Sequence, residues 1–306
     1  MKNILVIGAS GFIGSYLSRQ LLADGYAVRC LARNPDKVKA LANSGCEVVK
    51  GDISDKVSIQ HALKSMDAVY ISIHTLAPQH TDTANQDFMD IEFAGLQNIV
   101  EGCKINNVKR LIYVTSIGIA ADTKDAWTQG RWKAQQYLLN SGLNVTIIQP
   151  PMIVGIGGQG FNIILANAKK RVAFVLGNGR NKFRTIAIDD LTYYLIGVLD
   201  EPKANGQCYE VGSDDILASD ELIDNAADVL RNRHPYKIHI PFSLLRFAAP
   251  LIQFMAKSPK GAIKGALDSL GGDMIGNSLP IRNILPRKLV SYKQAVKLAV
   301  EVYNKK

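Results

Sequence analysis

Gly8, Gly11 and Gly14 carry the first chemical signal, in the run Gly8-Ala9-Ser10-Gly11-Phe12-Ile13-Gly14. The apolar run Ile4-Leu5-Val6-Ile7 precedes them, and a helical pattern from Gly14 to Ala23 follows, so they fall in a strand–turn–helix. In such a setting the first glycine permits the tight turn. The second lets the backbone approach a ligand, and the third allows close packing of the helix. Unpaired N–H groups at the helix start, together with the helix dipole, favour an anion there. A pyrophosphate meets that demand, so Gly8, Ser10, Gly11, Phe12, Ile13 and Gly14 are the expected binding loop for a dinucleotide.

The end of the second apolar run discriminates between dinucleotides. It reads Cys30-Leu31-Ala32-Arg33. An NAD site usually places an acid at the end of this strand to hold the ribose 2′-hydroxyl. Here Ala32 stands in that place and Arg33 follows. A guanidinium gives charge-assisted bonds to a 2′-phosphate, and Lys37 lies close by in sequence. NADP(H) is therefore expected over NAD(H). The fourth run, Tyr70-Ile71-Ser72-Ile73, ends at His74, and the C-terminal edge of such a strand faces the nicotinamide crevice. Ile73 is expected to line that crevice. His74, which titrates near neutrality, is a candidate proton donor.

Positioning these residues requires a scaffold. Short apolar runs recur at 4–7, 26–31, 46–50, 68–73, 110–115 and 144–149, with helical patterns such as Phe93 to Ile105 between them. That alternation predicts a doubly wound α/β parallel sheet. The character changes after Pro150-Pro151. Residues 1–150 are read as a Rossmann domain, and 151–306 as a smaller substrate lobe that partly returns to the sheet. In the latter, the glycine cluster 155–160 reads as a substrate loop. Asp189 or Asp190 is expected to cap a helix, and Asp220 to open another. Tyr209-Glu210-Val211 reads as a short strand.

The GxxGxxG spacing resembles the extended and atypical short-chain dehydrogenase/reductase superfamily, and the resemblance covers essentially the whole chain. It includes Gly51-Asp52-Ile53 after the third strand, Ser141-Gly142-Leu143 leading to Thr146-Ile147-Ile148-Gln149-Pro150, and Ile186-Ala187-Ile188-Asp189-Asp190. NmrA-like and complex-I-accessory-subunit-like members are the most similar, down to Gly272-Asp273-Met274-Ile275, Ile281-Arg282 and Leu285-Pro286-Arg287 in the tail. The resemblance implies that Asp52 holds the adenine, and it adds Ile53 and Pro150 to the cofactor site. It also implies a Ser/Thr at Ser116 and a Tyr-x-x-x-Lys pair in the following helix. Here Trp127 occupies the tyrosine position and Arg131 the lysine position. Tryptophan exchanges no proton at neutral pH and arginine keeps its own. Arg131 is left to bind a ribose or a substrate anion, with Ser116 and His74 as the other catalytic candidates.

Charge and composition narrow the rest. The four cysteines form no CxxC and the five histidines no HxxxH, so neither disulfides nor a metal site is expected. The cysteines read as core residues of a cytoplasmic protein. No run reaches the roughly 18 apolar residues of a membrane span. Of the formal charge of +9, residues 229–306 carry 14 Lys and Arg against 3 Asp and Glu. With the apolar segment 241–256 and Lys257, Lys260 and Lys264 after it, this basic tail suits either a helix packed over the lobe or contact with an anionic membrane or partner. No nucleic-acid reading module is visible. These features predict an NADPH-dependent reductase of a small, apolar substrate, or an NADP(H)-binding sensor or assembly factor without turnover.

Overall fold

The computed structural model describes residues 1–73, 88–123, 126–255 and 271–304. They form two compact units. The first comprises residues 1–115, 119–149 and 192–209, and the second 116–118, 150–191 and 210–306. His74, the proposed proton donor, and Lys257, Lys260 and Lys264 lie outside the described residues.

The first unit holds a seven-stranded sheet in the order β10-β6-β5-β4-β1-β2-β3. Its strands are β1 (Asn3–Ile7), β2 (Ala27–Ala32), β3 (Glu47–Lys50), β4 (Ala68–Ile71), β5 (Arg110–Val114), β6 (Asn144–Gln149) and β10 (Gln207–Glu210). From β3 through β6 every neighbouring pair is parallel. A parallel sheet is covered on both faces, which is why its central strand is an unbroken apolar run: Ile4, Leu5, Val6 and Ile7 are all buried. Between the strands run α1 (Phe12–Ala23), α2 (Lys39–Asn43), α3 (Lys56–Leu63), α4 (Phe88–Ile105) and α5 (Ala126–Leu139). One core gathers Leu5 and Ile7 with Ile59 and Leu63 of α3, Leu96 and Ile99 of α4, and Leu138 of α5. Strand order reverses between β1 and β4, and in open α/β sheets the crevice at the carboxyl ends of such strands takes the ligand.

The second unit contains a three-stranded sheet of β7 (Met152–Val154), β9 (Lys182–Ala187) and β11 (Ile216–Ala218), and a two-stranded one of β8 (Val172–Leu176) and β12 (Tyr236–Ile240). Its helices are α6 (Gln159–Ala168), α8 (Ser219–Arg231), α9 (Phe242–Met255), α10 (Leu279–Ile284) and α11 (Tyr292–Asn304). Phe161 and Leu165, Leu222 and Ile223, and Tyr292 and Val296 meet Ala173 and Val175 in its core. Helix α7 (Ile188–Gly197) carries the chain from one unit to the other. Among the described residues no helix is long and apolar enough to cross a membrane.

Three local expectations change. The glycine cluster 155–160 is not all loop, because Gly158 is the N-cap of α6 and the helix has already begun at Gln159. Asp189 and Asp190 lie inside the first turn of α7 rather than capping it. Asp190 is buried and accepts hydrogen bonds from Arg287 Nε (2.8 Å) and Val290 N (3.1 Å), so it ties down the C-terminal segment. Cys30, Cys46 and Cys103 are core residues, but Cys208 is exposed on β10.

Candidate functional site

Gly8 leaves β1 with φ +91°, a conformation that L side chains rarely adopt, and a Cβ there would lie 2.1 Å from the Ser72 carbonyl oxygen. The turn therefore packs directly on the carboxyl end of β4, whose Ser72 N donates to the Ile7 oxygen at 2.9 Å. Gly11 N closes the turn onto Gly8 O at 2.9 Å. At Gly14 a Cβ would come within 2.3 Å of that same Gly8 oxygen, so its glycine lets α1 press against the loop. Gly11 differs from both. It is the exposed N-cap of α1 in extended backbone, and the nearest atom to its Cβ position is Gly8 O at 3.2 Å. The space in front of Gly11 is open.

No described side chain caps α1, and its first turn holds no acid. The first N–H groups of a helix have no intrahelical acceptor, so here they are left to a ligand or water. A glycine cradle under bare helix N–H groups fits a pyrophosphate, as its donors and dipole require. Ser10 is exposed, and Phe12 and Ile13 are half-buried at the start of the helix.

The carboxyl ends of β2 and β3 define the neighbouring edge. Ala32 is buried, and Arg33 turns outward with Nε 3.7 Å from Asp52 Oδ2. Asp52 Oδ1 accepts from Ser54 N and Oγ, and Ser58 Oγ donates to the Asp52 carbonyl oxygen at 3.0 Å. Asn98 of α4 donates to Ile53 O at 2.9 Å, and Gly95 leaves room for the Ile53 side chain. Helix α4 thus fixes the Asp52-Ile53 turn. Arg33 is exposed and Asp52 partly so, and their contact is correspondingly weak. Ile73 packs half-buried on the core beside Gly8, its N 3.4 Å from the Gly8 Cβ position.

Of the proposed catalytic residues, Ser116 is half-buried two positions past β5. Its neighbour Ile117 donates to the Pro150 oxygen at 3.2 Å. Arg131, expected to bind a ribose or a substrate anion, is buried beside Glu92 and Tyr113. Its side chain is 1% exposed, and Nη1 lies 2.8 Å from Glu92 Oε1 and donates to Tyr113 Oη, also at 2.8 Å. Tyr113 in turn donates to Glu92 Oε1 at 2.7 Å. Burial opposes the charge on Arg131, but Tyr113 and Glu92 outweigh it and hold the guanidinium pKa up. Burial pushes the Tyr113 phenol up as well. The guanidinium stacks over Trp127, 5.4 Å from the ring centre, and its Nε and Nη2 have no hydrogen-bond partner among the described residues. Sequence reasoning missed Glu92 and Tyr113. The available signal was a carboxylate set between two apolar residues, Ile91-Glu92-Phe93.

A cavity of about 240 Å³, lined by Lys2, Arg110, Asn144 and Asp200 among others, lies at the amino ends of the strands, away from the glycine turn. It takes no part in this site.

Comparison with known proteins agrees with the geometry. An NAD(P)H-binding family matches residues 8–202, more than half of the chain. The chain is 25% identical to NADH dehydrogenase [ubiquinone] 1 alpha subcomplex subunit 9 of Arabidopsis thaliana, over 94% of this chain and 75% of that one. It is 24% identical to the photosystem II assembly factor Ycf39 of Trieres chinensis, over 82% and 76%. In fold it resembles the NADPH-dependent quinone oxidoreductase QOR2 of Escherichia coli complexed with NADPH, with a TM-score of 0.73 at 17% identity over 98% and 100% of the two chains. The chain belongs to the NAD(P)H-binding family, and its relatives are proteins of the extended short-chain dehydrogenase/reductase type.

Proposed function

We propose that this protein is an NADPH-dependent reductase of a small, apolar carbonyl-type acceptor. The observation that carries the reading is the open cradle at Gly11 beside an Ala32-Arg33 strand end. When bound, the nicotinamide supplies the hydride. The backbone of Gly8 to Gly14 holds the pyrophosphate, Arg33 with Lys37 receives the 2′-phosphate, and Asp52 with Ile53 receives the adenine. Ser116 is assigned to the reacting end, where its hydroxyl can hydrogen-bond an acceptor oxygen. His74 remains the proposed proton donor. A likeness in fold to a quinone oxidoreductase makes quinones the first acceptors to try.

A second reading has its own support. Trp127 stands in the tyrosine position, and Arg131 is committed to Glu92 and Tyr113, so this helix offers no acid/base couple. Binding NADP(H) without turnover, as a sensor or assembly factor, suits that arrangement. Following the absorbance of NADPH with a panel of quinones and small aldehydes decides between them. Acceptor-dependent oxidation that is lost in Ser116→Ala supports the reductase. Tight NADPH binding with no turnover on any acceptor supports the second reading.

A further inference from the structure

Among the described residues, one face of the two-stranded ribbon of the second unit is left uncovered. In β8 the core takes Ala173 and Val175, while Val172, Phe174 and Leu176 turn outward and are exposed. The parallel register sets Tyr236 beside Val172, Ile238 beside Phe174 and Ile240 beside Leu176, so six apolar side chains share one face in two rows. Phe174 is 51% exposed and Tyr236 73%. The alternating residues of β12 point the other way, where Lys237 meets Asp224 and His239 meets Asp220 on α8. Parallel strands are normally covered on both faces, so an apolar face open to water calls for a partner.

Its surroundings say which kind. Because the strands are parallel, both begin at the same end of the ribbon. Lys169, Lys170 and Arg171 precede β8 there, and Arg231 and Arg233 precede β12. Arg231 donates to the carbonyl oxygens of Lys169 and Lys170, which holds the two basic clusters together. At the other end, the Phe242 ring packs against Gly177, so α9 starts where β8 stops. Leu244 and Phe247 of this helix are also exposed apolar residues, the latter 87% exposed. An apolar face bordered by a fixed group of cations is the complement of a bilayer with anionic headgroups.

We propose that the β8–β12 face, with Leu244 and Phe247 of α9, docks this protein on an anionic lipid membrane, its apolar rows entering the interface and the basic end meeting the headgroups. The expectation of surface binding drawn from segment 241–256 thereby acquires a second element that lies outside that segment. This inference does not depend on the reductase reading.

The test is co-sedimentation of the full chain with vesicles of equal parts phosphatidylcholine and phosphatidylglycerol, beside pure phosphatidylcholine, with light scattering and limited proteolysis in parallel. Binding is expected to the anionic vesicles at low salt, with release at about 0.5 M salt. A Phe174→Glu/Tyr236→Glu variant and a Lys169→Glu/Lys170→Glu/Arg171→Glu variant should each bind at least ~tenfold more weakly. Both should keep wild-type NADPH affinity, which shows that they fold. Absence of vesicle binding by the wild type overturns the proposal, as does binding that Phe174→Glu/Tyr236→Glu leaves unchanged. A wild-type dimer that this variant splits would give the face to a second copy. New cleavage at residues 256–270 in the variant, without vesicle binding by either protein, would give it to this chain's own segment.

Discussion

Gly8 and Gly11 look alike in the sequence and differ in what a methyl group would meet. At Gly8 a side chain must adopt φ +91° and overlap the Ser72 carbonyl oxygen just past β4. Backbone strain of this kind costs about 1–3 kcal/mol before the overlap is counted. Gly8→Ala should therefore lose stability by more than that strain alone, read as a fall in the urea midpoint. Gly11→Val faces only the Gly8 oxygen and should cost about 1 kcal/mol as a poorer N-cap. Its added methyl groups would fill the space in front of α1, so the folded variant should lose NADPH binding. A Gly11→Val protein that folds and still binds NADPH would refute the assignment of this turn. The turn was legible at Gly8 and Gly14, because each answers a local backbone demand. The employment of Arg131 was not, because its partner Glu92 is 39 positions away on another helix.

At the level of elements, the six strands of the first half stand where the apolar runs placed them, most plainly at β1 and β4, since a strand buried on both faces leaves an unbroken signature. Strand β8 has the same signature, Val172-Ala173-Phe174-Val175-Leu176, yet only alternate residues are buried. Sequence cannot separate a covered apolar strand from one with an open face. The start of α6 was hidden for a different reason, because glycines that cap a helix read as loop. The Glu92–Tyr113–Arg131 cluster joins α4, β5 and α5 inside the sheet's cover. Removing one member of a buried ion pair leaves the other charge without compensation and costs about 3–5 kcal/mol. Arg131→Ala should thus appear in denaturant unfolding as a loss of that size. A Glu92→Gln/Arg131→Met protein should lose less than the two single changes together. An Arg131→Ala protein of wild-type stability with weakened NADPH binding would return this residue to the cofactor.

Across the whole molecule, the sequence divides its labour. The first unit carries the glycine turn, the Arg33 edge and the buried cluster, and the second carries the open apolar face with its basic end. The reading that unites the glycine turn and the Arg33 edge is selective binding of NADPH. Asp52 tempers the charge of Arg33 but, at the exposure of both groups, does not cancel it. One charge-assisted contact to the 2′-phosphate supplies about 1.4 kcal/mol or more, a factor of about ten. The most direct measurement is a fluorescence titration of NADPH and NADH into the wild-type protein and Arg33→Ala. NADPH should bind the wild type at least ~tenfold more tightly than NADH, and Arg33→Ala should bring the two together by weakening NADPH alone. Equal affinities in the wild type, or a preference that survives in Arg33→Ala, would contradict it.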